Sequence, residues 1–382
     1  MKTSDDFSAQ DAAFMAHALS LAEKGRFSTT PNPAVGCVIV DDDNEIVAQG
    51  YHEVAGGHHA EVNALNQAGD KAKNASVYVT LEPCAHHGRT GPCAEALVNA
   101  GVRRVTIASI DPNPLVAGKG MDILTRAGVD VRFGLMQSQA SALNRAFFHR
   151  MQNQRPYVVL KLASSLDGKT ALQNGLSQWI TSEDARKDVQ KERALSCAIL
   201  TGSGTALVDN PRLNVRPDQL PDKDSLAFKS RNKQPLRVVI DGKGQLHSNL
   251  TLIEDGAATL IYNRKFNHAL DFEHVTQVQI MPEKDERHLN LSRILADIGK
   301  RNINRLFVEA GAKLAGALLE AGLVDELLLY IAPKMLGGGA RELISGDAKT
   351  SLDQALETQI SELRHIGKDI KIKCTFPMKK VS

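Results

Sequence analysis

Two cysteines in LEPCAHHGRTGPC, residues 81–93, each follow a proline, and two histidines and an arginine lie between them. Upstream, GGHHAEV at 56–62 places His59 and Glu61 in an H-x-E where a helical pattern begins. Zinc takes nitrogen and sulfur ligands, and a catalytic zinc keeps one position for water. His59, Cys84 and Cys93 would supply three such ligands. Glu61 would then be the carboxylate that shuttles protons beside the metal rather than binding it. His58 competes with His59 as ligand, and the spacing to Glu61 decides for His59.

Blander readings of the same residues exist. A lone H-x-E is usually a solvated pair. Two loop cysteines can be a redox pair, although such pairs usually stand closer, as C-x-x-C. A structural zinc has four protein ligands, and His86 or His87 would supply the fourth. The order His-x-Glu, Pro-Cys, Cys is that of zinc deaminases. Here, however, eight residues separate the cysteines rather than two. Cys93 still opens a helical segment, whose N-terminal partial charge favours thiolate. Of the other cysteines, Cys37 and Cys197 lie in apolar runs and read as core. Cys374 sits in the strand-like KIKCTF.

The elements that must hold these residues alternate. QDAAFMAHALSLAEKG is an amphipathic helix closed by Gly25, and CVIVDDDNEIVAQGY reads as a hairpin turning at DDDN. HAEVNALNQAG reads as a helix ending at Gly69, SVYVTLEP as a strand stopping at Pro83, and PCAEALVNAG as a helix. RRVTIASI, MDILTRAG and VDVRFGL add strand, helix, strand, and SQASALNRAFFHR a further helix. This alternation predicts a largely parallel sheet covered by helices. A second α/β pattern starts at RPYVVLKLASSLDG, so the expected domains are 1–150 and 151–382, meeting between residues 145 and 155. PDQLPDKDSLAFKSRNKQ is polar and reads as a surface loop.

The second half lacks a G-x-G-x-x-G after a strand. It has two weaker signals, AILTGSGTALVDNPRLNVR at 198–216 and LFVEAGAKLAGALLEAG at 306–322, in which a strand runs through glycine toward a helix. Backbone N–H groups at a helix start bind phosphate. Either run alone reads equally well as a tight turn.

The chain has 382 residues, of which 42% are hydrophobic and 24% charged. That balance and length fit a soluble globular protein of two domains. A net charge of +2 and 4% aromatic residues argue against nucleic acid as partner. The start, MKTSDDFSAQ, is polar and acidic, unlike a signal peptide, and no apolar run is long enough to span a bilayer. The expected location is cytoplasmic.

TPNPAVGCVIV, GGHHAEVNAL, VTLEPCAHHGRTGPC and ASIDPNPLVAGKG resemble, in order, the deaminase half of the bifunctional riboflavin-biosynthesis deaminase/reductase family. The wide cysteine spacing is itself characteristic of that branch. LKLASSLDGKTA, SQWITSEDAR, GSGTALVDNPRLNVR, VVIDG, VEAGAKLAGALL and GLVDELLLYIAPKMLGG resemble its reductase half. The resemblance implies a cytidine-deaminase-like αβα sandwich followed by a dihydrofolate-reductase-like domain, with zinc and NADPH as cofactors. The implied substrate is a small pyrimidine ribonucleotide, with no nucleic acid or membrane partner, and the chain is expected to form a homo-oligomer.

In the first half the resemblance puts Asn32, His52, Asp111 and Asn113 around the pyrimidine. Asn32 and Asn113 also sit in Pro-Asn-Pro turns, which is a conformational reason of its own. Arg89 offers a fork of donors for the ribose phosphate, with His86 as a second contact. In the second half the resemblance implies that Ala163, Trp179, Thr205, Asp209 and the loop Gly311, Ala312, Lys313, Leu314, Ala315, Gly316 and Ala317 face the cofactor. Ser177, Arg193, Leu213, Arg216 and Glu309 face the substrate, with Arg193 and Arg216 as candidate phosphate clamps. Lys161 and Glu309 are candidate catalytic groups. Two departures from the family pattern are visible: GRTGPC where GRTPPC is common, and Cys197 where relatives often carry an acid. The alternative reading is a nucleoside or nucleic-acid deaminase with an unrelated second domain.

Overall fold

The computed structural model describes residues 7–85, 91–113, 117–176, 179–281 and 288–376. The chain divides into two compact units. Residues 1–154 form the first, together with 223–233, and 155–222 with 234–382 form the second.

The first unit is built from α1 (Ala9–Lys24), β1 (Gly36–Val40), β2 (Ile46–Tyr51), α2 (Ala60–Ala68), β3 (Ser76–Val79), α3 (Cys93–Asn99), β4 (Arg104–Ile107), α4 (Lys119–Arg126), β5 (Asp130–Phe133), α5 (Gln137–Leu143) and α6 (Arg145–Asn153). Its sheet runs β2-β1-β3-β4-β5. β1 is antiparallel to both β2 and β3, while β3, β4 and β5 are parallel. The sheet is therefore mixed, where the alternation of elements predicts a largely parallel one. The tight turn after β1 forces one reversal, and the helical crossovers supply the parallel part.

Alternation along β1 sends side chains to both faces. Cys37 and Ile39 pack with Ala60, Ala64, Leu97 and Leu124 on the face covered by α2, α3 and α4. Val38 and Val40 pack with Phe14, Met15, Ala18 and Leu21 of α1 on the other. This is an αβα sandwich. The helix predicted over SQASALNRAFFHR is broken at Asn144, whose side chain bonds both the N–H and the C=O of Ala34, at 2.8 Å each.

The later part of the chain contains β6 (Tyr157–Ser165), β7 (Lys169–Ala171), α7 (Glu183–Ala194), β8 (Ala198–Gly202), α8 (Ser203–Asp209), α9 (Asp222–Ser230), β9 (Leu236–Asp241), α10 (Thr251–Glu254), β10 (Thr259–Asn263), β11 (Val275–Gln279), α11 (Leu291–Lys300), β12 (Arg305–Glu309), α12 (Ala312–Glu320), β13 (Glu326–Ala332), β14 (Arg341–Glu342), β15 (Gln359–Ile366) and β16 (Asp369–Thr375). All but α9 build the second unit. Its nine-stranded sheet has the order β11-β10-β9-β8-β12-β6-β13-β16-β15, parallel through β13 and antiparallel at β16 and β15. β12 returns to lie between β8 and β6. In such sheets the crevice outside the carboxyl ends of strands at a reversal of order is where ligands bind.

The polar run after residue 216 is not the loop that its composition suggests, because it contains α9. Only Ser225 and Phe228 of this helix are buried, three residues apart on one face. Two such residues are too few to mark a helical period in the sequence.

Candidate functional site

The first unit brings three chain segments to one point. His59 is the N-cap of α2, Cys84 follows the end of β3, and Cys93 is the first residue of α3. His59 Nδ1 lies 3.6 Å from Cys84 Sγ and 3.3 Å from Cys93 Sγ, and all three ligand atoms fall within 4.8 Å of one another. One imidazole and two sulfurs in a triangle of that size is the donor chemistry of a catalytic zinc site. The Cys93 N–H donates to Cys84 Sγ at 3.3 Å. Hydrogen bonds from Cys93, and then from His59, hold the Cys84 thiol down at about 4. Cys93, bonded to Cys84 and buried, is pushed up. His58 is exposed, and its carbonyl accepts from His52 Nδ1.

Glu61, the second residue of α2, is 3% exposed. Burial pushes its carboxyl up to about 7, against the opposing charge of His59. α2 can sit this close because β2 carries Gly50. A Cβ there would stand 2.6 Å from both the Ala60 carbonyl oxygen and the Ala64 nitrogen.

Other polar residues connect to this cluster through rings and hydrogen bonds. His52 is buried and lies edge-on to His59, with ring centroids 5.4 Å apart. Its Nδ1 faces the His58 carbonyl at 2.9 Å. A carbonyl only accepts, so Nδ1 carries the proton. Nε2 then accepts from Asn32 Nδ2 at 3.2 Å, which fixes the orientation of that amide. Burial lowers the His52 pKa, in keeping with a neutral ring. Asp111 Oδ1 accepts the Asn113 N–H at 2.8 Å. The Asp111 N–H donates to Glu82, two residues before Cys84. His86 and Arg89 lie outside the described residues. Glu82 carries no signal in the sequence, since an acid before a proline has many uses.

The second unit holds a cleft of about 1870 Å³. A usual ligand pocket is several-fold smaller. The cleft opens at the carboxyl ends of β6, β8 and β12. Lys161, Ala163, Trp179, Arg193, Thr205, Asp209, Leu213, Arg216 and Glu309 all line it, as do Gly311, Ala312, Lys313, Leu314 and Ala317. Ala315 and Gly316 do not. Ala315 is in the hydrophobic core, and Gly316 is pressed against the Ser345 carbonyl. A helix turns part of every run inward, so this segment, which lies on α12, cannot face the cleft throughout. Ser177 lies outside the described residues.

The Thr205 hydroxyl accepts the Gly311 N–H at 3.1 Å, and the Thr201 hydroxyl donates to the Glu309 carbonyl at 2.7 Å. These bonds tie the two glycine-bearing turns together. Gly311 caps α12 without a side-chain bond to its first turn among the described residues. The opening N–H groups of that helix therefore meet the cleft without a side-chain cap. An uncapped helix start in a cleft of this size fits the phosphates of a dinucleotide.

Lys161 and Glu309 are cross-strand partners on β6 and β12. Burial lowers the Lys161 pKa, with Glu309 opposing. Burial pushes Glu309 up, but the Arg193 guanidinium outweighs it and holds the carboxyl below its ordinary range. Arg193, expected as a phosphate clamp, lines the cleft, but in this structure its fork is engaged with a carboxylate. It grips Glu309, Nε to Oε1 at 2.5 Å and Nη2 to Oε2 at 3.0 Å, and Nη1 donates to the Asn214 carbonyl at 2.8 Å. Arg216 is exposed at the cleft. Leu213 is buried at φ 47. A leucine adopts that left-handed backbone only where its surroundings enforce it. Trp179 is 63% exposed, with the Arg186 guanidinium 4.4 Å above its ring. It is therefore a cleft residue rather than core.

Comparison with known proteins agrees with both halves. Residues 8–109 match the family described as the cytidine and deoxycytidylate deaminase zinc-binding region, and residues 156–372 match the RibD C-terminal domain. The riboflavin biosynthesis protein RibD of Escherichia coli K12 is 49% identical over 362 residues, 94% of this chain and 98% of that protein. The Acinetobacter baumannii RibD structure superposes with a TM-score of 0.89 at 42% identity, covering 97% of this chain and 99% of that one. A Thermotoga maritima structure described as a diaminohydroxyphosphoribosylaminopyrimidine deaminase/5-amino-6-(5-phosphoribosylamino)uracil reductase gives 0.83 at 30% identity, over 96% of this chain and 99% of that one. With both domain families present in order and relatives matched along nearly their whole length, the chain belongs to the RibD family, the bifunctional deaminases and reductases of riboflavin biosynthesis.

Proposed function

We propose that this chain performs two consecutive reactions on one pyrimidine ribonucleotide, each in its own domain, 1–150 and 151–382. The first converts 2,5-diamino-6-(5-phosphoribosylamino)pyrimidin-4-one and water to the 5-amino uracil nucleotide and ammonia. The second reduces the ribosyl group to ribityl with NADPH. The observation that carries this function is the triangle of His59, Cys84 and Cys93 beside the buried carboxylate of Glu61.

In the first step His59, Cys84 and Cys93 would hold the metal. Zinc, when bound, supplies the Lewis acidity that lets water act as a nucleophile near neutral pH. Glu61 Oε takes the water proton and returns it to the ring nitrogen and to the departing ammonia. Its burial keeps bulk water away from that proton. Asn32, His52, Asp111 and Asn113 orient the pyrimidine, and His86 and Arg89 take the ribose phosphate.

For the second step NADPH, when bound, would supply a hydride to the anomeric carbon, whose ring oxygen would leave that carbon and take a proton. The first turn of α12, from Gly311 to Leu314, with Ala317, Thr205, Asp209, Ala163 and Trp179, binds the cofactor. Ser177, Leu213, Arg216 and Glu309 place the sugar and its phosphate. Arg193 keeps Glu309 ionised, and Lys161 presents a proton on Nζ next to that carboxylate.

No helix among the described residues is long and apolar enough to cross a membrane. A phosphorylated metabolite and a reduced nicotinamide as reactants support a cytoplasmic location. The near-neutral charge supports a small-molecule partner and no nucleic acid. A homo-oligomer is supported by the edge strand β15, on which Ile360 and Leu363 are both 59% exposed. An edge strand leaves backbone N–H and C=O groups open to pairing with a second chain.

The test is ammonia release by wild type and Glu61→Ala, with metal content measured on both. The variant is expected to keep its zinc and lose about 10²–10⁴-fold in rate. Equal rates would show that the cluster is a structural zinc site.

A further inference from the structure

Glu82 has no part in the chemistry above, yet the residue is 4% exposed and stands two residues before Cys84. Both carboxylate oxygens are fully engaged. Oε2 accepts the N–H groups of Asp111 at 3.3 Å and Gly118 at 3.1 Å. Oε1 accepts those of Gly120 at 3.0 Å and Met121 at 3.3 Å. The Glu82 N–H in turn donates to the Ser109 carbonyl at 2.9 Å. A carboxylate has about four acceptor positions, and here each one meets a backbone donor. All four donors lie well downstream of Glu82, one at Asp111 and three at the start of α4.

A second feature fixes the same contact from the other side. Gly120 lies in the first turn of α4, and a Cβ on it would stand 2.0 Å from the Pro83 carbonyl oxygen. The helix start is pressed directly on the peptide between Glu82 and Cys84. α4 has no side-chain cap of its own at Gly118, so Glu82 fills that role from another part of the chain.

We infer that Glu82 is a positioning residue of the deaminase site. Its carboxylate locks the stretch carrying Asp111 and Asn113 to the turn after β3 that carries Cys84. Pyrimidine contacts and a metal ligand thereby keep one register. This rests on the proposed roles of Asp111, Asn113 and Cys84. Glutamine has nearly the shape of glutamate, but half of its head group is a donor and would face backbone N–H groups. The Asp111 segment then loses its tie, while the His59, Cys84 and Cys93 side chains are unchanged.

The experiment measures E82Q and Gly120→Ala beside wild type. Each is assayed for zinc content, for ammonia release from the diamino nucleotide across a range of concentrations, and for NADPH oxidation with the uracil nucleotide. The expected result for both variants is wild-type zinc content and wild-type NADPH oxidation. KM for the diamino nucleotide rises about tenfold or more. A KM within twofold of wild type in either variant overturns the inference. So does loss of zinc with a lower kcat at unchanged KM, which marks Glu82 as a helix cap and nothing more. If E82Q does not fold, Gly120→Ala decides the matter through the opposite face of the contact. Wild type that releases no ammonia defeats the deaminase function itself, and this inference with it.

Discussion

Glu61 and Glu309 are both buried carboxylates, and their surroundings push them in opposite directions. Burial dominates at Glu61 and raises it to about 7, where it can take and return a proton. At Glu309 the bidentate Arg193 wins over burial and keeps the group ionised. The first suits the proton transfer proposed for it and the second suits holding charge. Glu309→Gln should therefore act by leaving the Arg193 guanidinium buried with its partner charge gone. The expected outcome is a loss of about 10²-fold or more in NADPH oxidation with the uracil nucleotide. Ammonia release from the diamino nucleotide should persist, and stopped-flow absorbance with an ammonia assay reads both. The residues themselves are largely legible in the sequence. H-x-E spacing and two Pro-Cys steps survive as a local pattern, because each fits within two or three adjacent residues. Arg193 is legible as a charge but not as the partner of Glu309, which stands 116 residues away.

At the scale of elements, His59 caps α2 and Glu61 lies in its first turn, and the seat of that helix is Gly50 on β2. Asn63 Nδ2 donates to the Tyr51 carbonyl at 2.9 Å, and Gln67 accepts the Gln49 N–H at 2.8 Å, so the helix is also pinned along its length. Gly50→Ala pushes the helix from the strand. It should cost about 1–3 kcal/mol of stability and most of the deaminase activity, read by thermal unfolding and ammonia release. Unchanged activity would mean that α2 tolerates displacement. Elements with strong periodicity or clear caps are readable from sequence: α1 with its Gly25 end, α2 ending at Gly69, and β6, β8, β12 and β16 of the second sheet. What escapes depends on distant partners. The break at Asn144 is set by Ala34, 110 residues away, and α9 has too few buried residues to show a period. The mixed direction of the first sheet follows from a hairpin that is visible locally, whereas the strand that joins its other side is 36 residues downstream of β1 at Val40–Ser76.

At the scale of the whole molecule, the two sites differ in what they need. The proposed deaminase site uses one imidazole and two cysteine sulfurs, and the proposed reductase site a helix start and the Lys161–Glu309 pair. Removing metal with a chelator should abolish ammonia release and leave NADPH oxidation with the uracil nucleotide within about twofold. Restoring zinc should restore the first activity. Parallel loss of both would mean that the metal supports the entire chain rather than one site.

Deamination first and reduction second, in one chain, is tested most directly by NADPH oxidation. Wild type and Glu61→Ala are each supplied separately with the diamino nucleotide and with its deaminated uracil counterpart. Wild type is expected to consume NADPH with either substrate, and Glu61→Ala only with the uracil nucleotide. Wild type that releases ammonia without consuming NADPH, or a Glu61→Ala variant that reduces the diamino nucleotide as fast as wild type, would contradict that order.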